Sequence, residues 1–219
     1  MNMFRFMNHS PHEPMSVVET RLAHEVHRVA TALLAEAALR ASAPLGTLAQ
    51  LRDFLVVNLR HHHETEDEDL WPRIVAASPA AADALGELSA EHERLDEALD
   101  ALAAVVLSGD AEAGRPALHE AAVAVRDTVH SHLAHEEPVL FPALREHVTP
   151  EYWADFSQRV IATTPPVAGH LMIGFLDEVG TPEEVALMLA ALPEPVLPLL
   201  PAMRAQAADD LRTLRGAEA

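Results

Sequence analysis

The chain has 219 residues, no cysteine, few aromatics (4%) and a formal net charge of −19, from 34 acidic against 15 basic side chains. Such a charge repels phosphate backbones and anionic lipid headgroups, which excludes nucleic-acid and membrane-surface partners. Without cysteine there are no disulfides or thiolate ligands, so any metal must be held by histidine and carboxylate.

Alanine and leucine dominate and β-branched runs are scarce, the composition of an all-α protein. Residues 1–15 read as a flexible leader, 16–148 as a four-helix bundle and 149–219 as an extension of short helices. Met1 to Phe6 contains no apolar core of signal-peptide length. The apolar stretch from Val185 to Met203 is broken by Pro193, Glu194, Pro195, Pro198 and Pro201 and is no membrane span. The expectation is a soluble, cytoplasmic protein.

The first helix is predicted from an N-cap at Ser16 to about Ser42, where Ala43-Pro44-Leu45-Gly46 stops it. In the second, Leu48, Leu51, Leu55, Leu59, His62 and Glu66 recur at helical spacing and form one continuous inward stripe. The third runs from about Ala80 to Leu107 with Leu85, Leu88, His92, Leu95, Leu99 and Leu102 on one face, and ends at Ser108-Gly109-Asp110. A fourth spans about Arg115 to His147, with Leu118, Val125, Val129, His132, Glu136 and Leu140 inward. Four long helices joined by short turns imply an up-down-up-down bundle. Pro72 and Pro138 fall inside helical patterns and are expected to kink them.

Beyond the bundle, Thr149-Pro150-Glu151 and Thr181-Pro182-Glu183-Glu184 each place a cap, then proline, then acid in a first turn. Short helices are expected over Phe156–Ala162, Val167–Val179, Glu183–Leu192 and Leu199–Leu214, with a break at Thr164-Pro165-Pro166. The row Met203, Ala207, Leu211 and Leu214 either packs on the bundle or meets a partner, a second copy of the chain included.

The chemistry lies in a duplicated cassette. His62-x-x-x-Glu66 is followed by Leu70-Trp71-Pro72, and 70 residues later His132-x-x-x-Glu136 is followed by Leu140-Phe141-Pro142. Residues at i and i+4 are about 6 Å apart along a helix and roughly 40° apart around it, so each pair points one way. Two such helices face to face present two imidazoles and two carboxylates to one spot. The flanking helices each add a histidine. His92 precedes His132 by 40 residues; His24 and His27 precede His62 by 38 and 35. The repeat favours His24, while the apolar pattern of the first helix sets His27 nearer the buried face. The candidate site is His24, His62, Glu66, His92, His132 and Glu136. Burying these groups without a metal would cost several kcal/mol, and the donor set suits first-row metals rather than Ca²⁺ or Mg²⁺.

The remaining polar residues have plainer readings. His61 and His63 flank His62 at ±1 and are expected to point away from it, solvated or supporting the ligands from behind rather than ligating. His135 and Glu137 flank Glu136 likewise, with His135 able to orient a neighbouring carboxylate. His119, His130 and His147 read as surface residues and His170 as structural. The acidic run Glu64 to Asp69 is taken as a solvated face except for Glu66, and Tyr152 is placed out of the site's reach.

Over residues 16–147 the chain resembles the hemerythrin-like (HHE cation-binding) family. The resemblance rests on His24, the segment from His61 to Pro72, Glu91-His92-Glu93, and the segment from His132 to Pro142. It implies a four-helix bundle around a non-haem, oxo- or hydroxo-bridged di-iron centre, with His24, His62, His92 and His132 as terminal ligands and Glu66 and Glu136 as bridges. The implied partners are O₂, NO or peroxide, bound as by a sensor, store or scavenger. A di-iron oxidase or peroxidase acting on a small substrate, and an iron-responsive interaction module, are the alternatives. One departure stands out: the oxygen-carrying members have a second histidine on the third helix, and here the neighbours of His92 at i−4 and i+4 are Leu88 and Asp96.

Overall fold

The computed structural model describes residues 13–107 and 111–216, with side chains in the second stretch from 114 onward, and every regular element among them is helical. Helices α1 (Met15–Ala38), α2 (Leu45–Thr65), α4 (Ala82–Ala103) and α5 (Ala111–His147) are the long members. A π-helical turn, Glu66–Leu70, and the short α3 (Trp71–Ala77) continue α2. Neighbours pack in a closed square, α1 on α2, α2 on α4, α4 on α5 and α5 back on α1. This is the up-down-up-down bundle that the apolar stripes predict.

Local chemistry moves some boundaries. α1 begins at Met15 behind Pro14, and Ser16 is buried inside the helix rather than capping it. It ends at Ala38, and Pro44 precedes α2, so Leu45-Gly46 open a helix instead of closing one. The loop between α1 and α2 is pinned by Arg115 of α5, which donates to Arg40 O at 2.8 Å and Ala43 O at 2.6 Å. Around Pro72 the break takes the form of the π-turn, whose widened hydrogen bonding relieves the clash of the proline ring with the carbonyl four residues back. α5 continues through Pro116, Pro138 and Pro142. The expected leader falls largely outside the described residues, as does the Ser108-Gly109-Asp110 turn.

The extension forms α6 (Pro150–Thr163), α7 (Gly169–Val179), α8 (Pro182–Ala190) and α9 (Leu200–Leu214). Thr149 caps α6 and Thr181 forms a capping box with Glu184 at the start of α8. Of the row on α9, Ala207, Leu211 and Leu214 are buried and Met203 packs against the core, so this face joins the bundle. Close approach makes that possible: a Cβ on Gly174 of α7 would lie 2.6 Å from Ala207 Cβ. No helix among the described residues is long and apolar enough to cross a membrane.

The apolar core is in two parts. One cluster includes Leu55, Leu59, Leu95, Leu99, Val125, Val129 and Leu133 and takes in α7 to α9. The other includes Leu70, Trp71, Leu85, Leu88, Leu140 and Leu144 and takes in Trp153 and Phe156 of α6. On α2, α4 and α5 the cassette residues occupy the gap between the two.

Candidate metal centre

Into that gap α1 brings His24 and His27, α2 brings His62 and His63, the π-turn Glu66, α4 His92, and α5 His132 and Glu136. All are buried apart from His62, whose side chain keeps 16% of its exposure. A buried leucine in the place of His92 would contribute about 1.5–3 kcal/mol, so the stripe of α4 forgoes that packing to keep an imidazole.

The donors form two groups. Ligand atoms of His24, His62 and Glu66 lie within 4.8 Å of one another, and so do those of His63, His92 and His132. Both carboxylates span the groups. Glu66 sets Oε1 3.3 Å from His62 Nε2 and Oε2 3.7 Å from His92 Nε2. Glu136 sets Oε1 3.7 Å from His24 Nε2 and Oε2 3.1 Å from His132 Nε2. All six residues singled out in the sequence therefore meet, with His24 rather than His27 in the first group. His27 lies against His62, ring centroids 4.9 Å apart, and its buried Nδ1 has no partner.

His63 differs from its sequence reading. It is buried and stacks on His92 with centroids 4.2 Å apart, while His61 points outward to Thr163 as expected. A ±1 neighbour is turned by about 100° around an α-helix. Because α2 packs on α1 along one edge and on α4 along the next, both positions face the interior. His63 thereby joins His92 and His132 in the second donor group.

An outer layer of carboxylates orients the imidazoles. His24 Nδ1 is 3.1 Å from Glu137 Oε1, His92 Nδ1 is 2.9 Å from Asp67 Oδ2, and His132 Nδ1 is 3.0 Å from Glu91 Oε2. Since a carboxylate accepts, each Nδ1–H donates outward and each Nε2 is turned inward, the tautomer that a metal-binding histidine needs. Arg28 steadies Glu137 at 2.8 Å, Ser89 donates to Asp67 at 2.5 Å, and His135 bonds Glu91 at 3.0 Å. Asp67, read from sequence as part of a solvated face, is thus engaged. The aromatic residues of the cassettes pack crosswise: Trp71 of the first stacks on His92, and Phe141 of the second stacks on His24.

The electrostatics are those of a site waiting for a cation. Burial, aided by neighbouring imidazoles, pushes His62 and His63 well below the ordinary value and His27 to about 3, so all three are neutral. Burial and the nearby Glu136 push Glu66 well up. Burial also works to raise Glu136, but His24 and then His132 outweigh it and hold this carboxyl down. Buried Nε2 of His24 and of His62, Nδ1 of His63, Oε2 of Glu66 and both oxygens of Glu136 have no hydrogen-bond partner. Orphaned lone pairs of this kind are costly in a protein interior, and together they match the nitrogen and oxygen donors of a first-row metal site.

Residues 19–144, more than half of the chain, match the hemerythrin HHE cation-binding domain. The chain belongs to this family. No curated protein and no solved structure gives a significant match. As a hemerythrin-family protein it has a cation-binding character, and its His/Glu groups are placed to hold metal. Helices α6 to α9 lie beyond the matched segment.

Proposed function

We propose that this centre binds two iron ions. His24 and His62 serve one, His63, His92 and His132 serve the other, and Glu66 and Glu136 are shared between them. The observation that carries this reading is the pair of carboxylates spanning two groups of buried imidazoles, three of which have Nδ1 committed to an outer carboxylate. Iron held by these residues would supply the redox chemistry for binding O₂, NO or peroxide, in the role of a sensor, store or scavenger.

The chain's own residues provide the setting. Glu137, Asp67 and Glu91 fix the rings of His24, His92 and His132. Leu55, Leu59, Leu95, Leu99, Val125 and Val129 are buried and form a dry wall on one side that excludes water from the centre. The first group has two imidazoles against three in the second, and its His62 retains contact with solvent. The His62 side is thus the more open of the two.

The test is metal content together with the ultraviolet-visible spectrum of protein purified with and without air. Two irons per chain, with a near-ultraviolet band that bleaches on reduction and returns with O₂, is the expected result. Zinc, or no metal, in protein made with ample iron would overturn the proposal.

A further inference from the structure

Each acid of the run Glu66-Asp67-Glu68-Asp69 does something different. Glu66 reaches into the site, Asp67 orients His92, Glu68 is exposed, and Asp69 is gripped from α6. The Tyr152 hydroxyl donates to Asp69 Oδ1 at 2.8 Å, and Arg159 reaches Asp69 Oδ2 with Nη2 at 2.6 Å and Nε at 3.2 Å. Arg73 and Arg159 stand over the Tyr152 ring at 5.1 Å and 5.9 Å, and its other neighbour is Phe156. Burial and Asp69 push the Tyr152 hydroxyl up to about 12, so it remains a donor at any physiological pH.

These contacts fall on the stretch where α2 gives way to π-helical geometry. Trp71 N–H bonds Glu66 O, five residues back, where α geometry would bond four back. In an α-helix Asp69, at i+3, would share a face with Glu66. The wider turn swings Asp69 outward to α6 while Glu66 stays inward. Pro72 disfavours plain α geometry here, but a π-turn is rarely the preferred local conformation, and the grip on Asp69 adds a contact from outside that favours it.

We propose that Tyr152 and Arg159 are positioning residues for the metal centre: by gripping Asp69 they keep Glu66–Leu70 in its π form and so aim the Glu66 carboxylate between the two histidine groups. The grip originates beyond residue 144, in a helix that the family match does not cover. It rests on the metal reading given above for its consequence, though not for its existence.

The test is the double variant Tyr152→Phe/Arg159→Gln, which keeps the ring packing of residue 152 and changes an exposed arginine. Amide exchange on metal-free protein is expected to quicken severalfold over residues 67–71 with α5 unchanged, and affinity for one of two Fe²⁺ ions to fall about tenfold, as for other outer partners of metal ligands. Arg159→Lys, with Tyr152 intact, should retain most of the protection. Unchanged exchange would overturn the proposal. So would faster exchange with unaltered Fe²⁺ affinity, because the grip would then hold the turn without aiming Glu66. Wild-type protein that takes up no metal would sink the metal reading and the aiming role with it, while the exchange comparison would still show whether the latch exists.

Discussion

His92 and His132 turn their Nε2 atoms toward each other at 3.2 Å while each commits Nδ1 to a carboxylate, Asp67 and Glu91. Two lone pairs at that distance repel, so a cation belongs beside them. In the metal-free protein at about pH 6 and below, a proton can take that place. Burial opposes charge on His132, but Glu136 and Glu91 outweigh it and raise its pKa. A metal ion arriving at this position has to displace that proton.

Metal uptake should therefore release protons: the one on His132 and the one on Glu66, which burial and Glu136 keep in place well above the usual carboxylate range. Calorimetric titration with Zn²⁺ near pH 6, in two buffers of different ionisation enthalpy, gives the number. Between one and about two protons per chain is expected, and a value of zero would contradict the arrangement.

Replacing His63 with Ala should remove one of the two bound ions, whereas His61→Ala should leave both. The loss of a donor ought to exceed the roughly 10–100-fold that a missing outer partner costs. Metal content after dialysis distinguishes the two variants, and equal content would show that His63 holds no ion.

The two histidines of α1 should separate in the same way. His24 has Nδ1 on Glu137 and an unpartnered Nε2 facing Glu136, while His27 belongs to neither donor group. His24→Ala is expected to lose an ion and shift the spectrum of the iron-loaded protein. His27→Ala should keep two irons. The reverse pattern would move the ligand to His27.

Metal-free protein should lose stability in acid. His27, His62, His63 and His92 all have folded pKa values below the ordinary 6.5, with burial the largest cause in each. Below that value the unfolded chain binds more protons than the folded one. Their contribution is therefore complete above about pH 6.5 and declines as pH falls, by about 1.4 kcal/mol per unit for each imidazole. His132 and Glu66, both raised, act in the opposite sense: their contribution is present in acid and is lost as pH rises through their folded values. His27, His62 and His63, the most strongly lowered, outnumber the one strongly raised group, Glu66, so the urea midpoint should be lower at pH 5 than at pH 7.5. An equal or higher midpoint at pH 5 would show that these imidazoles are not held neutral.

Gly174→Ala should loosen the extension. Its new methyl would meet Ala207 Cβ at 2.6 Å and Leu211 Cδ1 at 3.0 Å, and Ala207 has no flexible end with which to yield. Overpacking of this kind costs about 1–3 kcal/mol. A thermal melt should show a lower midpoint than wild type, and no change would mean that α7 and α9 separate freely.

The bundle and five of the six candidate site residues were legible because one physical pattern carried both: the apolar stripes that bury a helix face are the stripes on which His62, Glu66, His92, His132 and Glu136 fall. His24 came from the spacing of the repeat, against an apolar pattern that favoured His27. His63 was not legible, since a ±1 neighbour leaves the face of a single stripe, and only the packing of α2 against two partners makes both faces interior. The triplet His61-His62-His63, beside a third helix with one histidine where two were due, was the available signal. Asp67 and Asp69 were hidden by the π-turn. Their directions follow a spacing that no α or β periodicity describes, and proline at 72 marked only that some break was due.

Between its two apolar clusters the bundle contains a layer that cannot slide. A hydrocarbon face tolerates displacement along its axis by one turn, about 5.4 Å, because one leucine simply takes the place of another. Moving α5 by that step either way would bring His132 or Glu136 level with apolar residues and leave His24, His92 and Glu91 without their present counterparts, at a cost of several kcal/mol. The imidazoles and carboxylates thus act as an alignment key for four helices of repetitive Ala/Leu sequence. They select one longitudinal fit before any ion arrives, and the fit they select is the one in which the two histidine groups are already assembled.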